Sequence, residues 1–366
     1  MTRRFPRLHL AGLGLLLASG GAGAAVTFST FIPSSAINAA LGQNNTIGIT
    51  YAGDKFVGSV YVGTNNLQLY QSDLGGGSVQ KFGAPLPTGG GEPVLASGLG
   101  QAGFAAGAIY ASGADSRIYR YASGGGAPVL FGSTDDGSAV RQIFFDPGSN
   151  FGGRMLVTTT TGHILSYDAG GTRTLIASVG EDTEGMDIAS SHYGKYAGQL
   201  LVASEGSGLI RAIKADGTVT VLQLRDTSGN ATRISLAETV STVPLDLGLS
   251  GNPLEGFYVA NYATDVQKAG AGQFAGLLGD TIVTSEFGAN SPLWDLHYNG
   301  DLLDTFTVTQ VGTLPGQSED GIFVTAQRIK DVNNTVPEPT ALVAAGLLAL
   351  GWASRRRRSV TRSATS

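Results

Sequence analysis

Three short acidic stretches carry the residue types best suited to chemistry: Glu184-Gly185-Met186-Asp187, Glu255-Gly256-Phe257 and Glu319-Asp320-Gly321-Ile322. Each sets one or two carboxylates beside a glycine and an apolar run that reads as a strand. Carboxylate oxygens are hard ligands, so acids gathered from several such stretches would suit Ca2+ or another divalent cation. Without a cation or a donor they repel one another. The candidate metal set is therefore Glu184, Asp187, Glu255, Glu319 and Asp320. The other role open to these carboxylates is to cap backbone N–H groups where chain segments meet.

Other chemistry is thinly supplied. The chain has no cysteine, which removes disulfides, thiolate zinc sites and cysteine nucleophiles together. No serine has glycine two residues before and two after it, so a nucleophile elbow is absent. Beyond the N-terminal segment the histidines are His163, His192 and His297, with no H-E-x-x-H pair, and each reads as an ordinary core or surface histidine. The glycine runs at 74–77, 89–91 and 124–126 lack the following helix and Lys-Ser/Thr of a phosphate loop, and read as turns. Neither a catalytic residue nor an organic cofactor is expected.

The elements that must position the acids come from an internal repeat. FGGRMLVTTTTGHILSYDAGGTRTLIAS, opening at Phe151, returns as YAGQLLVASEGSGLIRAIKADGTVTVL, opening at Tyr196. A shift of 45 sets Gly153 on Gly198, Leu156 on Leu201, Val157 on Val202 and Ile164 on Leu209. Going backwards by 46, Gly107 meets Gly153, Ile118 meets Ile164, Tyr121 meets Tyr167 and Val129 meets Leu175. A further copy starts at Val57, and GDTIVTSE at 279–286 echoes GQLLVASE at 198–205.

Each copy reads as short alternating strands parted by glycine turns, and four strands in about 45 residues is the size of a propeller blade. The expected fold is all-β: a single β-propeller of six blades, five being the other count the copies allow. The extended runs 26–32 and 321–326 are expected to pair and close the ring. Innermost strands line the central channel, so Glu184, Glu255 and Glu319 should converge on one of its mouths. Tyr51, Tyr61, Tyr70, Tyr110, Tyr119 and Tyr121 are expected to fill blade interfaces. Segments 223–253 and 263–273 show no clear strand pattern and read as loops or an enlarged blade edge.

The two ends speak of export. Arg3, Arg4 and Arg7 precede an apolar run at 8–17 and then Ala22-Gly23-Ala24, the layout of a cleaved signal peptide. At the other end Val336-Pro337-Glu338-Pro339 precedes a largely apolar stretch of 14 residues at 340–353, then Arg355, Arg356, Arg357 and Arg358. As a helix that apolar run is about 21 Å long, short for the hydrocarbon core unless the arginines reach to the interface. The arginines would stay cytoplasmic, with the body on the far side.

This ending resembles the PEP-CTERM sorting signal. The resemblance implies transient insertion in the inner membrane, processing by an exosortase, and delivery to the outer envelope or the medium. It further implies a setting of exopolysaccharide or biofilm. The expected organisation is a signal peptide at 1–25, a propeller at 26–332 and a sorting tail at 333–366.

Without its ends the chain keeps 15 basic and 27 acidic residues, a net charge of −12. Such a body would be repelled by nucleic acid, whereas divalent cations could bridge it to anionic polysaccharide. The expected role is a non-catalytic binding or structural module of the envelope or extracellular matrix. The alternative is a metal-dependent propeller hydrolase acting on a lactone or phosphoester.

Overall fold

The computed structural model describes residues 25–333, apart from 62–66, 89–90, 287 and 289. The expected signal peptide and sorting tail fall outside these residues, save Ala25 and Asn333. Six sheets, antiparallel but for one strand added at a rim, surround one channel, so the chain is an all-β, six-bladed propeller. From the channel outwards, blade one is Thr46–Tyr51, Phe56–Val60, Leu69–Ser72 and Gln80–Phe82. Blade two is Leu95–Ser97, Ile109–Ser112, Arg117–Ala122 and Gly125–Ser133; blade three is Val140–Phe145, Met155–Thr159, His163–Tyr167 and Arg173–Ser178. Blade four is Met186–Ile188, Leu200–Ser204, Leu209–Ile213 and Val219–Val221.

Local chemistry explains why these four blades repeat. Gly107, Gly153 and Gly198 stand just before the second strand of their blades with φ of 70°, 66° and 74°. L-residues with a Cβ pay for that conformation, so glycine is what the turn requires. Between third and fourth strands, Asp73, Asp168 and Asp216 fold their side chains onto N–H groups two residues on, those of Gly75, Gly170 and Thr218. Such Asx turns reverse the chain without help from packing. The repeat also stitches blades together. Tyr121 donates its hydroxyl to the Ala84 carbonyl of blade one at 2.9 Å, and Tyr167 donates to Ser133 of blade two at 2.8 Å. Both rings are fully buried, as are Tyr51, Tyr70 and Tyr110, so the tyrosines do fill blade interfaces. Tyr61 is only half-buried and rests edge-on against Tyr262.

Blades five and six depart from the repeat. Blade five runs Ala237–Thr242, Thr281–Ser285, Asn290–Tyr298 and Phe306–Pro315, with Leu224–Arg225 added in parallel at its rim. Blade six runs Gln317–Val324, Gly256–Tyr262, Val266–Gly270 and Ser29–Ile32. The chain therefore leaves blade five after its innermost strand, builds the middle hairpin of blade six, returns to finish blade five, and ends as the innermost strand of blade six. Segments 223–253 and 263–273 are not bare loops: the first holds the inner strand of blade five, the second the third strand of blade six. The two closing runs share a sheet but do not pair with each other. Ser29–Ile32 pairs with Val266–Gly270 and Gln317–Val324 pairs with Gly256–Tyr262, at opposite edges of blade six. Ring closure thus ties three distant pieces of chain into one sheet.

Two α-helices and two short 3-10 helices, Ser191–Tyr196 and Ala271–Phe274, complete the described residues. Helix α1 (Ser34–Leu41) packs against the outer strands of blade one. Helix α2 (Ala326–Val332) starts from a Thr325 cap that accepts the Arg328 N–H, and it lies across one end of the channel. No helix among the described residues is long and apolar enough to cross a membrane.

Candidate functional site

Every inner strand carries its first residues to the same channel mouth, and second strands, being antiparallel, bring their last residues there. This brings together Glu92, three residues before the inner strand of blade two, and Asp182 and Glu184 before that of blade four. Glu238 and Glu319 stand on the inner strands of blades five and six. Glu205 and Glu286 follow the last residues of the second strands of blades four and five. Against these seven carboxylates stands Arg141 of blade three. Its guanidinium reaches Glu92 at 2.7 Å, Asp182 at 2.6 Å and Glu184 at 3.0 Å.

One guanidinium cannot neutralise seven acids. Burial, which disfavours the charged form, pushes the Glu184 carboxyl well above the ordinary carboxylate range. The Arg141 pair lowers it less than burial raises it, and Asp182, Glu205 and Glu92 add repulsion. Arg141 is held above its ordinary value all the same: burial works against its charge, but Asp182, Glu184 and Glu92 outweigh it. The ion pair therefore satisfies the arginine and leaves Glu184 under strain. Burial also raises Glu319 to about 9, with Glu286 and Glu92 repelling it, and Glu286 to about 8, with Glu205 repelling it. Glu238 is 8% exposed, and burial followed by Glu184, Glu319 and Glu286 pushes it far up. Its carboxylate meets no hydrogen-bond donor and no cation at contact distance among the described residues. One oxygen each of Asp182, Glu184 and Glu205 lie within 4.8 Å of one another, the span across a single ion whose oxygen ligands stand at about 2.4 Å.

The acids singled out in the sequence divide between three places. Glu184 and Glu319 are in this mouth. Asp187 and Asp320 lie deeper, and each bonds a backbone N–H of the next blade. Asp187 accepts from Thr242 of blade five at 2.8 Å, and Asp320 accepts from Ile49 of blade one at 3.0 Å. Burial raises both to about 7, although those N–H bonds and Arg328 oppose it. These two serve as caps between blades. Glu255 begins no inner strand; it precedes the second strand of blade six, and its oxygens accept from Gly248 N–H at 2.5 Å and from the Ser250 hydroxyl. It pins the 244–254 loop, because the inserted hairpin displaced the inner strand that had been expected beside it. Glu238 holds the place in blade five that Glu255 had been assigned.

Glu92, Asp182, Glu205, Glu238, Glu286 and Arg141 were not foreseen, yet part of this was readable. Glu205 and Glu286 are the last residues of the two matched octets, so a repeat that puts one at the mouth puts the other there. The histidines stay outside: His163 pairs with Asp136 at 2.6 Å and His297 with Asp280 at 3.0 Å. Neither ring nitrogen they use bonds a serine hydroxyl, and His192 stands beside Gly279.

The fold and the mouth together define a six-bladed propeller with an acid-lined channel opening. No protein-family model matches the chain, and no curated protein does. Among solved structures it is similar to selenomethionine-substituted virginiamycin B lyase from Staphylococcus aureus, at 14% identity over 73% of this chain and 84% of that one, TM-score 0.41. It is also similar to a putative gluconolactonase, at 12% identity over 80% and 83% of the two chains, TM-score 0.47. A third is the WD40 β-propeller domain of Doa1, at 12% identity over 80% and 88%, TM-score 0.42. At these identities the likeness is one of fold.

Proposed function

We propose that this chain is an exported envelope or extracellular-matrix propeller that binds a divalent cation of the calcium class at its acidic mouth. Through that cation it holds anionic polysaccharide without turning it over. The observation that carries the reading is the carboxylate cluster: one oxygen each of Asp182, Glu184 and Glu205 lie within 4.8 Å of one another, and the nearby, largely buried Glu238 is repelled by Glu184, Glu319 and Glu286. Such a cluster is costly unless a cation joins it. Asp182, Glu184 and Glu205 supply the ligand oxygens that hard cations prefer, and Arg141 already occupies part of that trio. The export ends of the sequence and the net acidity of the body supply the setting.

Thermal unfolding with calcium and with chelator tests the cation. At about a hundred times its dissociation constant calcium adds about 2.7 kcal/mol of stability, which raises the melting temperature measurably. Glu184→Gln and Glu238→Gln should lose most of that rise, whereas a change at the surface turn residue Asp73 should keep it. A melting curve indifferent to calcium and chelator in the parent protein would refute the reading.

One observation favours the hydrolase alternative. In the cation-free mouth, burial and neighbouring carboxylates raise Glu286 to about 8 and Glu319 to about 9, toward the range a general acid uses. Calcium-dependent turnover of a δ-lactone or of p-nitrophenyl phosphate, lost in Glu319→Gln, would establish that alternative over simple binding.

A further inference from the structure

Four exposed leucines stand on the side of the ring where the inner strands end, opposite the acidic mouth. Leu302 and Leu303, 97% and 64% exposed, sit in the turn between the third and fourth strands of blade five. Leu249 and Leu245, 78% and 42% exposed, lie in the 244–254 loop that follows the inner strand of that blade. The other large apolar side chains exposed among the described residues, Val129, Leu130, Leu175, Val219 and Val221, belong to outermost strands of blades two to four, and so to the rim. A lone exposed leucine needs no explanation, but a group of them on one face marks a contact surface.

Both loops are built to hold these leucines outward. Asp301 and Asp304 flank Leu302 and Leu303, and both turn back to the body. Asp301 accepts from the Tyr298 hydroxyl at 2.7 Å and from the Lys195 N–H at 3.1 Å. Asp304 accepts from Lys195 Nζ at 2.6 Å and from the Tyr196 hydroxyl at 2.9 Å. Around Leu249 the same device recurs: the Gly248 N–H and the Ser250 hydroxyl, on either side of it, both donate to Glu255. The polar neighbours are tied inside, and the leucines are what the loops present. The 191–196 segment joins the two loops: Lys195 and Tyr196 hold Asp304, and His192 lies beside Gly279, which Leu245 also approaches.

The chain itself indicates what covers this face. Helix α2 ends on the same side, with Val332 over Gly53 and Gly107 in the first turns of blades one and two. Only seven residues, 333–339, then precede the largely apolar stretch 340–353 and Arg355 to Arg358, a reach of at most about 30 Å. Such a stretch with a basic end partitions into a bilayer. In a ring of six, blade five lies across the channel from blade two, so the chain's exit and the leucines support opposite sides of one face. Lys195 is already paired with Asp304, which leaves the contact apolar and not electrostatic.

We propose that this face lies flat on a phospholipid bilayer, with Leu249, Leu302 and Leu303 seated among the lipids and the acidic mouth turned away from the membrane. The proposal rests on entry of the 340–353 stretch into the bilayer and does not depend on cation binding.

The absence of cysteine allows single labels on the full chain, reconstituted into phosphatidylcholine vesicles. An environment-sensitive fluorophore at Leu302→Cys or Leu249→Cys should shift to the blue and lose most of its emission to nitroxide-bearing lipids. The same label at Thr161→Cys, in a turn on the acidic side of blade three, should do neither. Vesicle flotation reads membrane entry separately. Leu302→Asp with Leu303→Asp, which alters exposed positions only, should float as before yet lose the quenching at position 249. Flotation with equal quenching at all three positions, or with none at 249 and 302, would overturn the docking and leave membrane entry standing; failure to float would overturn both. Disulfide-linked pairs of Leu302→Cys chains without lipid quenching would assign the face to a second copy and overturn the proposal.

Discussion

Replacing Glu319 by glutamine should make the protein more stable at neutral pH, although it removes a side chain from the centre of the fold. The carboxyl is raised from its ordinary 4.5 to about 9, first by burial and then by Glu286 and Glu92. Its folded-state value lies above its unfolded one, so the protonated acid favours folding. That contribution is whole below pH 4.5 and is lost as pH rises toward 9. At pH 7 the loss for an isolated group is about 3.5 kcal/mol, two and a half units at about 1.4 kcal/mol each. Glu286 shares the same proton balance, so a gain of about 1–3 kcal/mol is expected. The amide also keeps the local bonding. Gln317 Nε2 donates to Glu319 and to Glu286 at 2.8 Å each, and the replacement retains an oxygen for it.

Urea unfolding in chelator at pH 5, 7 and 8.5 is the assay. The parent protein should lose stability steadily from pH 5 to 8.5. Glu319→Gln should differ little from it at pH 5 and exceed it at pH 8.5, with a flatter profile between. Calcium should narrow the difference at high pH, since a bound ion relieves the repulsion that the substitution removes. A variant equal to or less stable than the parent at pH 8.5 in chelator would show that Glu319 bears no uncompensated charge.

Four other changes have defined outcomes. Arg141→Met should destabilise the protein in chelator by about 3 kcal/mol or more, since it leaves buried acids unpaired, yet tighten calcium binding by freeing Asp182 and Glu184; calorimetry and melting read the two effects. Glu255→Gln should cost about 1–2 kcal/mol in urea unfolding through its loop bonds and leave the calcium response intact. Gly279→Ala should cost about 1–2 kcal/mol or more by the same measurement, because φ is 87° there and a Cβ would lie 2.4 Å from His192 Nδ1. Replacing Pro337, Glu338 and Pro339 with alanine should leave full-length precursor in the inner membrane on fractionation and immunoblotting; arrival at the outer envelope at unchanged size would refute the sorting reading.

The parts of the fold that the sequence discloses are those set by local chemistry. Gly107, Gly153, Gly198 and Gly279 recur because the turn before each second strand needs a left-handed residue, and all four have positive φ. Tyr121 and Tyr167 recur because each reaches the preceding blade's carbonyl. What stays hidden is set by partners distant in the chain. The inner strand of blade five, Ala237–Thr242, is followed by a hairpin that belongs to blade six, so the pairing of neighbours in sequence, on which a repeat search rests, fails there. Glu255 was placed wrongly for that reason alone, since in an uninterrupted blade the strand before GDTIVTSE would be the inner one.

The same distinction decides which acids face the channel mouth. Glu319 and Asp320 are neighbours, but adjacent residues of a strand point to opposite faces. One joins the repelling cluster with Glu286 and Glu92, while the other turns to the Ile49 N–H of blade one. Glu184 and Asp187 are three residues apart, a displacement of about 10 Å along an extended chain. Glu184 thereby meets Arg141 at the mouth, and Asp187 reaches Thr242 in the channel interior. Composition and spacing show that acids stand before the inner strands. Which of them is a cap and which is an unpaired charge depends on one residue of register and on whether the neighbouring blade offers an N–H or another carboxylate. Glu238 is the case that separates the two roles: blade five brings it to the mouth, and there it finds Glu184, Glu286 and Glu319 instead of a donor.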